Sequence, residues 1–223
     1  MTAIPTATSR EAVLHRVRAA LADVSVDETP EDVDVPDTYL RSHAGPDLVG
    51  LFVERVADYH ARVTRIEAAD ARGAIAAALA ERGVTELVVP AGFAPELLPT
   101  GPWTLLRDEP PLGVQALDAA SAVLTTAALG IAVTGTLVLD AGPGQGRRAL
   151  SLLPDYHLCV VREDQVVGDV PDALARLDPA RPLTFISGPS ATSDIELDRI
   201  EGVHGPRTLD VLVIATPPTR EIR

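Results

Sequence analysis

LTFISGPSATSDIELDRIEGVHGPRTLDVLVI, residues 183–214, sets an apolar run, a stretch of small, polar and turn-forming residues, and a second apolar run in succession. Leu183 to Ser187 and Leu209 to Ile214 have the length and β-branched content of buried strands. Gly188-Pro189-Ser190 turns the chain sharply, since Gly tolerates positive φ and Pro restricts it. Ser193, Asp194 and Glu196 fit the Ser-x-x-Glu capping box, which predicts a short helix closed by Gly202, with His204 in a Gly-flanked turn. A polar segment held between two buried strands has the form of a site at strand ends.

The same alternation extends toward the N-terminus. Leu48, Leu51, Phe52, Val56 and Tyr59 recur at helical spacing, with Asp47 after Pro46 as an early-turn acid. Ala61 to Ile66 reads as a strand, Asp70 to Arg82 as an alanine-rich helix ending at Gly83, and Glu86 to Val89 as another strand. Trp103 to Leu106 adds a strand, while Ala119 to Thr126 is apolar without a clear period and is open between helix and strand. Ile131 to Leu139 forms two strand-like halves broken by Thr134-Gly135-Thr136. A Gly-rich turn follows Asp140, then Leu150 to Leu153, a strand through Val161, and a helix near Asp172 to Leu177. Strands alternating with helices predict an α/β fold, an open and mainly parallel sheet with helices on both faces.

A helical extension is expected ahead of this domain. Thr8-Ser9-Arg10-Glu11 is a second capping box, followed by Val13, Leu14, Val17 and Leu21 at helical spacing. From Asp23 to Asp37 the chain carries seven carboxylates, no basic residue and two prolines, which suits a solvated linker or an acidic docking segment. The expected division is therefore 1–44, N-terminal helix and acidic linker, and 45–223, the α/β domain.

A formal charge of −13 argues against nucleic acid as a partner, because phosphate binding depends on clustered Lys and Arg. No apolar run is long enough to span a bilayer and no signal-peptide design opens the chain, so the expected setting is cytoplasmic. The one cysteine, Cys159, cannot form an intrachain disulfide or hold an iron–sulfur cluster, which takes about four; it reads as core. The five histidines show no metal-ligand spacing, and no serine sits in a G-x-S-x-G elbow.

Thr134-Gly135-Thr136 either presents hydroxyls and backbone N–H groups to an anionic or carbonyl ligand or forms a simple bend. Gly142, Gly144 and Gly146 lack both phosphate-loop spacings, but Arg147 and Arg148 beside them could neutralise an anion, unless they belong to a surface loop. On a helix, residues two apart face differently, so of Asp194 and Glu196 one caps while the other faces a cleft. Glu196 and His204 are the acid/base candidates.

Taken in order, Thr134 to Leu139, Leu150 to Pro154 with His157, Gly188-Pro189-Ser190 with Asp194-Ile195-Glu196, and Gly202 to Arg207 resemble the LUD-domain family of lactate-utilization proteins. The resemblance spans roughly residues 45 to 215. It implies a fold like the NagB/RpiA/CoA-transferase group, and a place in a system oxidising L-lactate to pyruvate in which a partner subunit carries the iron–sulfur clusters. Three positions depart from the family pattern: Val133 stands where an acid is usual, Ala191 where an arginine is, and Gln145 where another arginine is.

The expected function is thus a cluster-free subunit of a lactate-oxidising complex. Thr134, Gly135, Thr136, Gly188, Ser190, Asp194 and Arg147 would bind a small carboxylate or phosphate, with Glu196 and His204 as catalytic candidates. Two rivals are a free-standing isomerase or CoA-transferase using one carboxylate as base or nucleophile, and a non-catalytic scaffold. Assembly with further copies of the chain is open.

Overall fold

The computed structural model describes residues 9–24, 29, 43–192, 200–201 and 205–216. The chain divides into two units, Met1–Tyr39 and Leu40–Arg223. The first holds helix α1 (Ser9–Ala20); Thr8 of its expected capping box lies outside the described residues.

The second unit begins with α2 (Leu48–Asp58), where Asp47 is the N-cap itself: its Oδ1 accepts from Gly50 N at 2.8 Å. Then come β1 (Arg62–Ile66), α3 (Ala71–Glu81), β2 (Glu86–Val89), β3 (Thr104–Arg107), α4 (Val114–Ala119) and β4 (Ala122–Thr126). Of the ambiguous apolar run at 119–126, Ala119 ends α4 and Ala122–Thr126 is strand, four of its five residues buried. β5 (Leu129–Ile131) and β6 (Thr136–Leu139) precede β7 (Tyr156–Arg162), β8 (Val166–Val167), α5 (Val170–Leu174) and β9 (Thr184–Ile186). β10 (Ala191–Thr192), β11 (Ile200–Glu201) and β12 (Thr208–Ile214) complete the order.

Six strands form one parallel sheet in the order β1-β12-β7-β4-β2-β3. One face packs on α3, where Ile75 and Leu79 meet Leu87, Leu124, Leu158 and Leu212; the other packs on α2, where Phe52 and Val56 meet Cys159, Val211 and Val213. These side chains alternate along each strand because successive residues of a strand point to opposite faces. On the α3 face Asp210, 3% exposed, is saturated: it accepts from Tyr156 Oη at 2.9 Å and from Arg82 Nη2 at 2.9 Å.

Three features depart from the expected pattern, the simplest being that β9, expected as a buried strand, has no buried residue and leaves Phe185 46% exposed. A second, four-stranded sheet, β8-β5-β6-β9, is inserted between β4 and the end of the parallel sheet. In it β5 and β6 are an antiparallel hairpin, so the break at Thr134-Gly135-Thr136 is the hairpin's turn. The helix expected to run from Ser193 to Gly202 does not reach its end, since Ile200–Glu201 pairs antiparallel with Ala191–Thr192. β-branched Thr192 and Ile200 suit a pleated pair better than a helical turn.

Three glycines let the second sheet approach α2. A methyl group at Gly130 would stand 2.9 Å from the Phe52 ring, one at Gly135 2.6 Å from the Arg55 carbonyl carbon, and one at Gly188 2.6 Å from Tyr59 Cβ. Phe52, Arg55 and Tyr59 recur at spacings of about three and four, one face of the helix. Gly135 has φ 57° and Gly188 φ 81°, so both positions also need a residue without a Cβ.

Candidate functional site

The chain leaves β2 toward β3 on one side and leaves β4 toward β7 on the other, so the crevice between the carboxyl ends of β2 and β4 is the switch point of the sheet. The glycine-rich turn fills it. Gly144 N donates to Ala91 O at 2.8 Å, and Thr126 N donates to Gly144 O at 2.8 Å, so the turn bridges the two strand ends. A cleft of about 820 Å³ remains beside this plug. Four of its charged groups are paired, Arg181 with Asp140 at 2.6 Å and Arg162 with Asp164 at 2.9 Å, while Arg176 and Glu96 have no ion-pair partner among the described residues. Gln145 Oε1 accepts from Asp140 N, and Gln165 Nε2 donates to Ala127 O and Ala128 O.

A smaller cavity of about 280 Å³ lies at the amino ends of β7 and β12, against β9. Its walls include Gly188, Pro189 and Ser190 after β9, Gly205 and Pro206 before β12, and Leu209 and His157 near the starts of β12 and β7. A 3-10 turn, Arg148–Ser151, contributes Arg148 and Ser151, whose Oγ donates to Arg148 O at 3.2 Å. The exposed Arg148 guanidinium has no ion-pair partner among the described residues. That differs from Arg147 next to it, which donates twice to Asp108, at 2.8 and 3.0 Å, and once to Leu112 O at 2.6 Å. Burial works to raise the Asp108 carboxyl, but the Arg147 and Leu112 hydrogen bonds outweigh it and hold the group below the usual range.

The predicted residues therefore separate. Gly188 and Ser190 line the cavity. Thr136 stands one step behind its wall, because its Oγ1 lies 2.7 Å from Ser187 Oγ and 2.7 Å from Thr134 Oγ1, a hydroxyl chain that ties the hairpin turn to β9. Gly135 faces α2, as described. Arg147 braces the segment 108–112. Asp194, Glu196 and His204 lie outside the described residues.

His157 is not among the site residues expected from sequence, and Arg148 is expected only as one of two neighbouring arginines able to neutralise an anion. The signal for His157 was a lone polar residue in the apolar run Tyr156–Val161, two positions from Cys159 and so on the same strand face. Its Nε2 lies 2.7 Å from Thr125 Oγ1 on β4, and burial pushes its pKa down to about 4, so the ring is neutral at physiological pH. Cys159, in contact with the same hydroxyl, is a buried thiol whose pKa is raised to about 12, chiefly by desolvation, and is therefore unreactive. A neutral imidazole, hydroxyls and one unpaired guanidinium can together hold a small anionic, hydrogen-bonding ligand. The volume lies at the lower edge of the roughly 300–1,000 Å³ typical of ligand pockets.

Comparison with known proteins agrees with this fold. Residues 113–214 match the LUD domain. The chain is 46% identical to lactate utilization protein C of Deinococcus radiodurans, over 96% of this chain and all of that one. It is 29% identical to lactate utilization protein C of Geobacillus kaustophilus, covering 78% of this chain and 81% of the relative. A crystal structure of a DUF162 family protein from Deinococcus radiodurans superposes with a TM-score of 0.65 at 43% identity, covering 79% of this chain and 99% of that one. With a near full-length relative at this identity and a shared fold, the chain belongs to the LUD-domain family of lactate utilization proteins.

Proposed function

We propose that this chain is the cluster-free subunit of a cytoplasmic complex that oxidises L-lactate to pyruvate, and that it holds the small carboxylate in the 280 Å³ cavity. The role in lactate utilization rests on the names of its relatives. The observation that carries the choice of site is Arg148, an arginine without an ionic partner among the described residues, at a cavity that also holds the neutral His157 ring and is otherwise walled by small, hydroxyl-bearing and apolar residues. A guanidinium offers a carboxylate two parallel hydrogen bonds, and here no acid of the described chain competes for them. The iron–sulfur clusters of the system belong to a partner subunit, which receives the electrons. Among the described residues no helix is long and apolar enough to cross a membrane.

The test is calorimetric titration of the full chain with L-lactate, pyruvate, inorganic phosphate and acetyl-CoA, alongside co-purification from the native host. Saturable binding of the three-carbon acids, weakened by Arg148→Ala, together with capture of a cysteine-rich iron–sulfur protein, supports the proposal. Binding of acetyl-CoA alone, with a covalent adduct seen by mass spectrometry, would replace it with the transferase reading.

A further inference from the structure

We propose that His157 Nδ1 selects a 2-hydroxy carboxylate over the corresponding 2-oxo acid in this cavity, an inference that rests on the carboxylate reading of the site. His157 is the second residue of β7 and 1% exposed. The Thr125 hydroxyl donates to Cys159 Sγ at 3.6 Å, so the same oxygen accepts from the His157 Nε2–H at 2.7 Å. With the Thr125 proton directed to Cys159, the ring proton in the proposed arrangement lies on Nε2 and Nδ1 keeps its lone pair.

Nδ1 has no hydrogen-bond partner among the described residues. No fully buried side-chain nitrogen or oxygen among them lacks one. The atom is therefore not sealed, and the surface onto which His157 opens is the cavity. An acceptor in the wall favours a ligand that brings a donor. A 2-hydroxyl group donates to the lone pair, whereas the carbonyl oxygen of a 2-oxo acid meets it with lone pairs of its own. In the proposed pose the carboxylate rests on exposed Arg148 and the 2-substituent on buried His157, both of which line the cavity. Sites built around a buried hydrogen bond to a ligand hydroxyl reject analogues lacking it far more strongly than apolar pockets reject a change in size.

Calorimetry on the full chain with L-lactate, pyruvate and propionate tests this, since propionate keeps the carboxylate and has no 2-substituent. Lactate is expected to bind at least about tenfold tighter than pyruvate, the worth of one well-placed hydrogen bond and the avoided mismatch. Thr125→Val removes the acceptor that fixes the tautomer and should bring the two affinities together, while Thr125→Ser should restore the preference. Nitrogen-15 spectra of the labelled wild-type chain, which need no variant, should show His157 protonated at Nε2. Equal affinities for lactate and pyruvate, a preference that survives both Thr125→Val and His157→Asn, or a ring protonated at Nδ1 would each overturn the proposal. If propionate binds and Arg148→Ala weakens it while lactate and pyruvate bind alike, only the role of His157 falls. If none of the three acids binds, the carboxylate reading falls with it.

Discussion

At the carboxyl ends of β2, β4 and β7 the molecule has its broader cleft, about 820 Å³; at the amino ends of β7 and β12 it has a cavity of about 280 Å³. The broader one holds more charge, and Arg162, Arg181, Gln145 and Gln165 have partners there within the chain, while Arg176 has no ion-pair partner among the described residues. In the smaller one the Arg148 guanidinium and a His157 ring nitrogen have no partner among the described residues. Groups paired internally have already exchanged their water for protein, so a ligand gains little by displacing those contacts; an unpaired group retains that gain. What distinguishes the smaller end is the nearness of an unpaired guanidinium to a buried neutral imidazole in one cavity.

The largest expected effect tests the plug at the carboxyl end. Gly144 has φ 75°, and a methyl group there would stand 2.9 Å from Thr126 Oγ1 and 3.3 Å from Phe93 Cα. Gly144→Val should cost about 4 kcal/mol, combining a left-handed β-branched residue with overpacking, read as a fall in the denaturation midpoint. Below that midpoint, affinity for lactate should hold; a parallel loss of affinity would move the site to the carboxyl end.

Next comes a pH effect specific to the amino end. The His157 pKa is about 4 in the folded chain against about 6.5 unfolded, so between these values the unfolded chain binds a proton that the folded chain refuses. Stability is full above about pH 6.5 and falls as pH drops toward 4, by about 3 kcal/mol in all. Denaturation curves across that window should show the slope, and His157→Leu should flatten it. An unchanged slope in the variant would mean that other groups carry it.

Arg148→Ala should weaken carboxylate binding by about 10- to 100-fold, the range for a hydrogen bond to a charged group. Arg162→Ala at the opposite end should change stability by under about 1 kcal/mol, because its ion pair is solvent-exposed, and should leave calorimetric affinity alone. Reversal of these two results would erase the distinction between the ends.

Much of the framework was legible from periodicity. β1, β2, β12, α2 and α3 fall within a few residues of the expected bounds, because each is a locally consistent apolar pattern ended by a cap or a glycine. The second sheet was not, since Thr134-Gly135-Thr136 looks the same in sequence whether it is a bend or a hairpin turn, and the pairing of β6 with β9 joins residues far apart in the chain. The candidate site was legible only in part. Gly188 and Ser190 line the cavity because turn chemistry is local, whereas the separate fates of Arg147 and Arg148 depend on Asp108, which no spacing rule connects to them.

The contacts of Gly130, Gly135 and Gly188 with a single face of α2 carry an evolutionary consequence. At Gly135 and Gly188 the opposing atoms include main-chain carbonyls, so exchanging the side chains of Arg55 or Tyr59 cannot relieve an added Cβ. Relatives that keep the register of this helix should keep both glycines together. Relatives that lose one should show a compensating length change in the turn between α2 and β1, a pattern of covariation open to direct inspection in aligned sequences.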